Sequence, residues 1–202
     1  MLTFDHFAVT AATLEEGVDW VEAALGVKLA GGGKHALMGT HNRLLGLGDI
    51  YLEVIAVDPE GTPPSRPRWF DIDRFEGPPR LTTWIARTDD LAAALAASPK
   101  GTGTPVSFAR GDYRWQMAVP DDGILPFDSA FPALIHWQTP LHPTQSLPDV
   151  GVRLKTLTIA HPQAAALRAA LALQDPRIQI VQGPQKAMTA IFTTPSGDRS
   201  LP

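Results

Sequence analysis

Apolar and polar positions over the first 57 residues follow a pattern that predicts a strand, a helix and three more strands. Residues 2–9 alternate in polarity as a strand does. Thr13 has the character of a helix N-cap, and apolar residues recur at helical spacing until Gly26 ends the helix. A short strand over residues 27–30 and then a hairpin complete this run.

The hairpin has the clearest pattern in the chain. Its arms are residues 41–47 and 50–55, and Gly46 and Gly48 supply the turn between them. Glu53 lies in the middle of the second arm, which is otherwise apolar. Because an unpaired buried carboxylate is costly, we expect Glu53 to face solvent, to find a partner or to bind a cation.

The same order of elements recurs further along the chain. Residues 58–80 form a loop rich in proline and arginine, and residues 81–139 then show a strand, a helix, a hairpin and a final strand. Residues 140–202 contain a linker, a strand, a helix and two strands. The pattern predicts an α+β fold with a βαβββ order repeated over 1–57 and 81–139, and a shorter βαββ segment packed on the same domain.

Composition narrows the function classes. The net charge is -4, and the lysines and arginines are dispersed, which argues against nucleic acid as a partner. No apolar run approaches the roughly 20 residues of a membrane helix, and the start of the chain lacks a signal-peptide pattern, so we expect a cytoplasmic protein with no membrane partner. Cysteine is absent, which excludes thiolate ligands and a cysteine nucleophile. No phosphate-binding glycine motif is present, so no nucleotide cofactor is expected.

Three short segments of the first 57 residues form a recognisable set: Asp5-His6-Phe7, residues 39–43 and Tyr51-Leu52-Glu53. They resemble the glyoxalase-like domain family of the vicinal oxygen chelate superfamily. That superfamily includes glyoxalase I, the extradiol dioxygenases and the bleomycin-resistance proteins. After residue 80 the resemblance depends on element order and on residues 135–137. It implies that the two modules pair, that their mixed sheet curls around a small-molecule cavity, and that the first and fourth strands of each module hold one divalent metal.

Carried onto this chain, the resemblance implies metal ligands at His6, Glu53 and His136, with zinc, manganese, nickel or iron as the cation. Two histidines and one carboxylate leave coordination positions open for a substrate. The first-strand position of the second module is Thr83 or Trp84. Neither is a good metal ligand, so the four-ligand set of the superfamily is incomplete here.

Further candidates surround this set. His41 is a candidate general base or additional ligand, and Glu53 is a second candidate catalytic residue. Arg43 is a candidate partner for a substrate carboxylate. Each has a structural alternative, since His41 could bond a backbone carbonyl and Arg43 could pair with Glu53 across the hairpin. Three tryptophans are candidate substrate-binding walls, although tryptophans are more often core residues: Trp84, Trp115 and Trp137.

Two function classes stay open at this point. One is a metal-dependent lyase, isomerase or dioxygenase of unknown substrate. The other is a metal-free small-molecule binding protein of the bleomycin-resistance type. Modules of this kind pair between chains as well as within one, which makes a homodimer a further prediction. The remaining histidines, His35, His142 and His161, are interpreted as incidental.

Overall fold

Two strand–helix–strand–strand–strand runs form one eight-stranded sheet. The computed structural model describes residues 1–202. The first run is β1 (Thr3–Thr10), α1 (Leu14–Leu25), β2 (Lys34–His35), β3 (Thr40–Gly46) and β4 (Tyr51–Val57). The second is β5 (Arg80–Arg87), α2 (Leu91–Ala96), β6 (Thr104–Arg110), β7 (Tyr113–Val119), the short α3 (Pro126–Ser129) and β8 (Ala133–Trp137).

The strand order places the two first strands at the centre of this sheet. It reads β2-β3-β4-β1-β5-β8-β7-β6, so each run contributes four adjacent strands and the second half mirrors the first. Strand β1 is parallel to β4 and antiparallel to β5, and β5 is parallel to β8. The edge strands β2 and β6 contact each other, which means that the sheet curls until it nearly closes. The predicted curled mixed sheet is confirmed.

Local signals place the first helix and hairpin as predicted. The Thr13 hydroxyl accepts a hydrogen bond from the Glu16 N–H, and Gly26 ends α1 in the left-handed conformation with φ 71°. The short second strand differs from its prediction. Residues 27–30 contribute a single bridge, Ala30 to Leu44, and β2 forms only at Lys34–His35. Between them Gly32 packs so tightly on Asn42 that a Cβ would lie 2.0 Å from the Asn42 carbonyl oxygen, which explains the glycine there.

The C-terminal segment forms a separate four-stranded sheet. It consists of β9 (Arg153–His161), α4 (Ala164–Ala170), β10 (Ile178–Gln182), β11 (Ala187–Thr194) and β12 (Gly197–Leu201). The order is β10-β9-β11-β12, with β9 and β10 parallel, which differs from the order within each half of the larger sheet. The predicted βαββ elements are present, and β12 is an additional strand. It escaped prediction because only Leu201 in it is buried, so it shows no alternation of polarity.

A shared core joins the two sheets. A cluster of 23 buried residues contains side chains from β1 and β4 together with side chains from β9, β11 and β12. Phe7 of β1, for example, stacks on Phe192 of β11 with ring centroids 6.1 Å apart. A second cluster of 14 buried residues, which includes Trp69, Trp115 and Ile135, lines the inside of the curled sheet. The helices of the structure fall short of the length and apolarity that crossing a bilayer requires.

Candidate functional site

The candidate site is a pocket inside the curl of the larger sheet, and polar residues of the first run face aromatic residues of the second across it. The cavity itself is about 30 Å³. A space of this size admits a very small ligand or the tip of a larger one. The lining residues are His6, His35, Asn42, Leu44, Tyr51, Glu53, Trp69, Phe70, Arg110, Trp115, Met117, Ile135 and Trp137.

His6 and Glu53 meet in this pocket. Strands β1 and β4 are parallel neighbours, with His6 opposite Tyr51 and Ala8 opposite Glu53. The His6 Nε2 lies 3.7 Å from the Glu53 Oε2, and both side chains are almost fully buried, at 4% and 6% exposure. The His6 ring also stacks on Tyr51 with centroids 4.3 Å apart, which fixes its plane.

A bulge in β1 gives His6 a second carboxylate partner. The pairing of β1 with β5 shifts between Phe4 and His6, which makes Asp5 the extra residue. Asp5 therefore turns its carboxylate toward the pocket side, where four groups surround it. These are the His6 Nδ1 at 2.5 Å, the Trp137 Nε1 and the His142 Nε2 at 3.1 Å each, and the Arg87 Nη1 at 3.5 Å.

The state of Asp5 sets the orientation of His6. Burial raises the pKa of the Asp5 carboxyl, but hydrogen bonds and charges from His142 and His6 outweigh burial and hold that pKa well below its usual range. Asp5 is therefore an anion, and the His6 Nδ1–H donates to it. This bond leaves the Nε2 of His6 as the nitrogen that faces Glu53, the arrangement in which a carboxylate orients a working histidine.

Asn42 and Arg110 complete the polar half. The Asn42 Nδ2 donates to the Glu53 Oε1 at 2.6 Å, while the Asn42 Oδ1 accepts from the Gly33 N–H at 2.8 Å and from the Arg110 Nη1 at 3.2 Å. Arg110 reaches across from β6, and its other bond is to the His35 Nε2 at 3.3 Å. Its guanidinium is thus held by neutral acceptors and leaves a positive charge at the pocket wall.

His35 is neutral in the folded protein. Burial, together with the charge of Arg110, lowers the pKa of His35 to about 3. Because Arg110 can only donate, the His35 Nε2 accepts, and the Nδ1–H donates to the Thr40 Oγ1 at 3.0 Å. His35 therefore accepts from Arg110 and Asn42 and adds no positive charge to the pocket.

The predicted metal set is only partly assembled. The structure brings His6 and Glu53 together, but His136 lies on the opposite face of β8 from Ile135 and Trp137, which line the pocket. The His136 Nδ1–H donates to the Thr88 carbonyl at 2.9 Å instead. A single step along a strand turns a side chain to the other face, so an alignment one residue off explains the miss.

The residues present do not fit the metal centre that the superfamily implies. No group of three or more His, Cys, Asp or Glu side chains in residues 1–202 is arranged to hold a metal ion. His6 and Glu53 supply two donors from the first run. The second run places Ile135 and Trp137 at the pocket, and neither can be a ligand.

The candidates on β3 lie on the face of that strand that points away from the pocket. Asn42 points into the pocket, whereas its neighbours His41 and Arg43 line a separate surface depression. The His41 Nδ1 lies 4.0 Å from the Asp58 carboxylate, and the Arg43 Nη1 donates to the Asn42 carbonyl at 3.2 Å, so the Glu53–Arg43 pair does not form.

Of the three candidate tryptophans, Trp84 is buried in the core shared with the second sheet and donates to the Ala130 carbonyl. Trp115 and Trp137 do line the pocket.

Several site residues were missed by sequence reasoning. His35 and His142, interpreted as incidental, both reach the site, and His142 bonds Asp5 from 137 positions away. Such long-range approaches leave no periodic signal. Asn42 could have been found from the sequence, because it belongs to the segment 39–43 that resembles the family and lies on the strand that pairs with the strand of Glu53.

The architecture defines a class. Two βαβββ runs share one curled sheet with a pocket inside the curl, which is the arrangement of the vicinal oxygen chelate superfamily. The sequence profile of the glyoxalase-like domain family matches residues 4–174, and the chain belongs to that family. No curated protein matches the chain.

Solved structures show the same fold at low sequence identity. A hypothetical protein from Staphylococcus aureus is 15% identical with a TM-score of 0.64, over 93% of this chain and 88% of that one. A methylmalonyl-CoA epimerase variant from Streptomyces coelicolor, in complex with 2-nitronate-propionyl-CoA, is 17% identical with a TM-score of 0.47, over 69% and 100%. A methylmalonyl-CoA epimerase from Mycobacterium tuberculosis is 17% identical with a TM-score of 0.43, over 66% and 85%.

Proposed function

We propose that this glyoxalase-like protein binds a small organic anion in the pocket and moves a proton on it, as an isomerase or lyase does. One observation carries the proposal: Asp5 holds His6 so that its Nε2 faces the Glu53 carboxylate at 3.7 Å, with both side chains almost fully buried. A buried histidine that is oriented by one carboxylate and faces a second one has the geometry of a general acid–base pair.

The surrounding residues suggest the class of ligand. The Arg110 guanidinium, bonded only to His35 and Asn42, can receive a carboxylate or an oxyanion. Trp115 and Trp137 form an apolar wall that excludes water and strengthens the electrostatic contacts inside. A small acid with an exchangeable C–H beside a carbonyl group fits these features.

Hydrogen exchange tests the proposal without knowledge of the full reaction. Pyruvate and acetoacetate are incubated with the protein in D2O and EDTA, and loss of the C–H signal is followed by proton NMR against a buffer blank. We expect faster exchange with the wild type and a loss of about 100-fold in Glu53→Gln and His6→Gln. Arg43→Gln, which changes the opposite face of β3, is the matched control and should keep the wild-type rate.

The other outcomes discriminate the alternatives. Exchange that appears only after addition of zinc, manganese, nickel or iron would show that the reaction needs a metal and would overturn the metal-free assignment. A second candidate is a metal-free binding protein, which the incomplete ligand set and the tryptophan wall favour. It predicts that these acids raise the melting temperature in EDTA while no exchange occurs.

A further inference from the structure

A second and larger cavity lies where the two sheets meet. We call it the Lys186 groove; its volume is about 440 Å³, and its walls are formed by Arg80 and Thr82 of β5, the turn at Asp128 and the start of β11. It shares only Phe70 with the pocket that contains Glu53. None of its charged residues takes part in the proton transfer proposed above, so an inference about it is independent of that proposal.

Lys186 is the reactive group in this groove. Its Nζ donates to the Thr82 carbonyl at 2.6 Å, which holds the amine at the junction between the sheets. Burial lowers the pKa of Lys186 to about 8, and the charges of Asp128 and Asp71 raise it by less. Near neutral pH a substantial fraction of this amine is therefore unprotonated, in contrast to an ordinary exposed lysine.

Arg80 supplies a rigid positive charge beside the amine. The Arg80 Nη1 donates to the carbonyls of Glu76 and Pro78 at 2.8 and 3.3 Å, and its guanidinium lies 4.2 Å from the centre of the Phe75 ring. These partners are all neutral. The charge of Arg80 is thus available to an anion in the groove, and it contributes to the lowered pKa of Lys186.

Strained turns border the groove on the side opposite β11. Asp128 presents a carboxylate that is 85% exposed, 3.5 Å from the buried His161 Nε2. Every non-glycine residue with positive φ in the chain lies in one of two turns, and four of them line the groove: Phe70, Asp71, Asp128 and Ser129. Such backbone strain persists only where the surroundings enforce it, and it is concentrated at functional sites.

We propose that the Lys186 groove is a second ligand site, which takes a small 2-oxo acid and binds its carbonyl carbon covalently through Lys186. The Nζ lone pair attacks the carbonyl carbon, and a nitrogen–carbon bond forms. The carbonyl oxygen leaves as water with the two protons of the amine, and Asp128 relays protons between nitrogen and oxygen. The product is a Schiff base, with no change of oxidation state. Arg80 receives the carboxylate of the ligand.

Reductive trapping on the wild-type chain tests the amine. The protein is incubated with glyoxylate and sodium cyanoborohydride at pH 7.5, and the modified lysines are mapped by peptide mass spectrometry. We expect at least about 10-fold more label on Lys186 than on exposed lysines, because its neutral fraction is on the order of 100-fold higher. Label on Lys186 no greater than on the exposed lysines would overturn the proposal. The internal comparison covers Lys28, Lys34, Lys100 and Lys155.

A pair of variants tests the carboxylate contact. Acetaldehyde has the carbonyl but no carboxylate, so the ratio of glyoxylate label to acetaldehyde label on Lys186 isolates the contribution of Arg80. We expect this ratio to fall about 5-fold in Arg80→Gln and to be retained in Arg80→Lys, with circular dichroism as the check on folding. An unchanged ratio in Arg80→Gln would exclude Arg80 as the anion contact. If Lys186 is labelled equally in Glu53→Gln and in the wild type, the groove acts separately from the pocket. A loss of Lys186 label in Glu53→Gln would refute that separation.

Discussion

His35 is buried between Thr40, Asn42 and Arg110, and its lowered pKa of about 3 gives the fold a specific pH dependence. The unfolded chain binds a proton at His35 below a pH of about 6.5, whereas the folded chain does not. This group therefore contributes stability that is fully present above that pH and is lost as the pH falls toward 3.

We predict that His35→Gln removes this part of the pH dependence. For one proton, the free energy of unfolding of the wild type should fall by about 2 kcal/mol between pH 7 and pH 5 because of His35 alone. Urea unfolding at the two pH values measures the fall for wild type and variant. The variant should show a fall smaller by about that amount, and equal falls in both proteins would mean that His35 is protonated in the folded state.

Strand β3 separates two sets of side chains, and neighbouring substitutions can test which face belongs to the site. Asn42→Ala removes bonds to Glu53, Arg110 and the Gly33 N–H, so the free energy of unfolding should fall by about 2 kcal/mol. Arg43→Ala changes an exposed side chain, and the fall should stay within about 0.5 kcal/mol. Urea midpoints compare the two. Similar losses in both variants would contradict the division of β3 into a pocket face and an outer face.

The same strand shows what a sequence can and cannot predict at the scale of elements. Alternation and glycine turns were sufficient for the β3–β4 hairpin and for the order of elements in both βαβββ runs, because these depend on neighbours in the chain. They were not sufficient for β2, which forms at Lys34–His35 and not at residues 27–30. To predict the face on which His136 lies, the register of β8 must be known, and an error of one residue there moves every side chain to the opposite face. The bulge at Asp5 and the approach of His142 depend on tertiary packing, which leaves no local pattern in the sequence.

At the scale of the whole molecule, the second sheet closes the outer side of the first. Leu154, Phe192 and Leu201 are buried in the same cluster as Phe4 and Phe7 of β1. The strand that carries His6 therefore has the pocket on one side and this shared core on the other. Since a buried cluster transmits strain, we infer that the pocket and the second sheet unfold together.

Tryptophan fluorescence can test this coupling, because all five tryptophans lie in residues 1–139 and none in the second sheet. Phe192→Ala creates a cavity against Phe7 and should lower the free energy of unfolding by about 3–5 kcal/mol. Its neighbour Ile191 is 44% exposed, so Ile191→Ala is the matched control and should lower the free energy of unfolding much less. If the sheets are one cooperative unit, the fluorescence midpoint in urea shifts for Phe192→Ala as far as the far-UV circular dichroism midpoint does. A fluorescence midpoint that stays at the wild-type value would show that residues 1–139 fold independently of the second sheet, and the Lys186 groove would then lie between two separately folding parts.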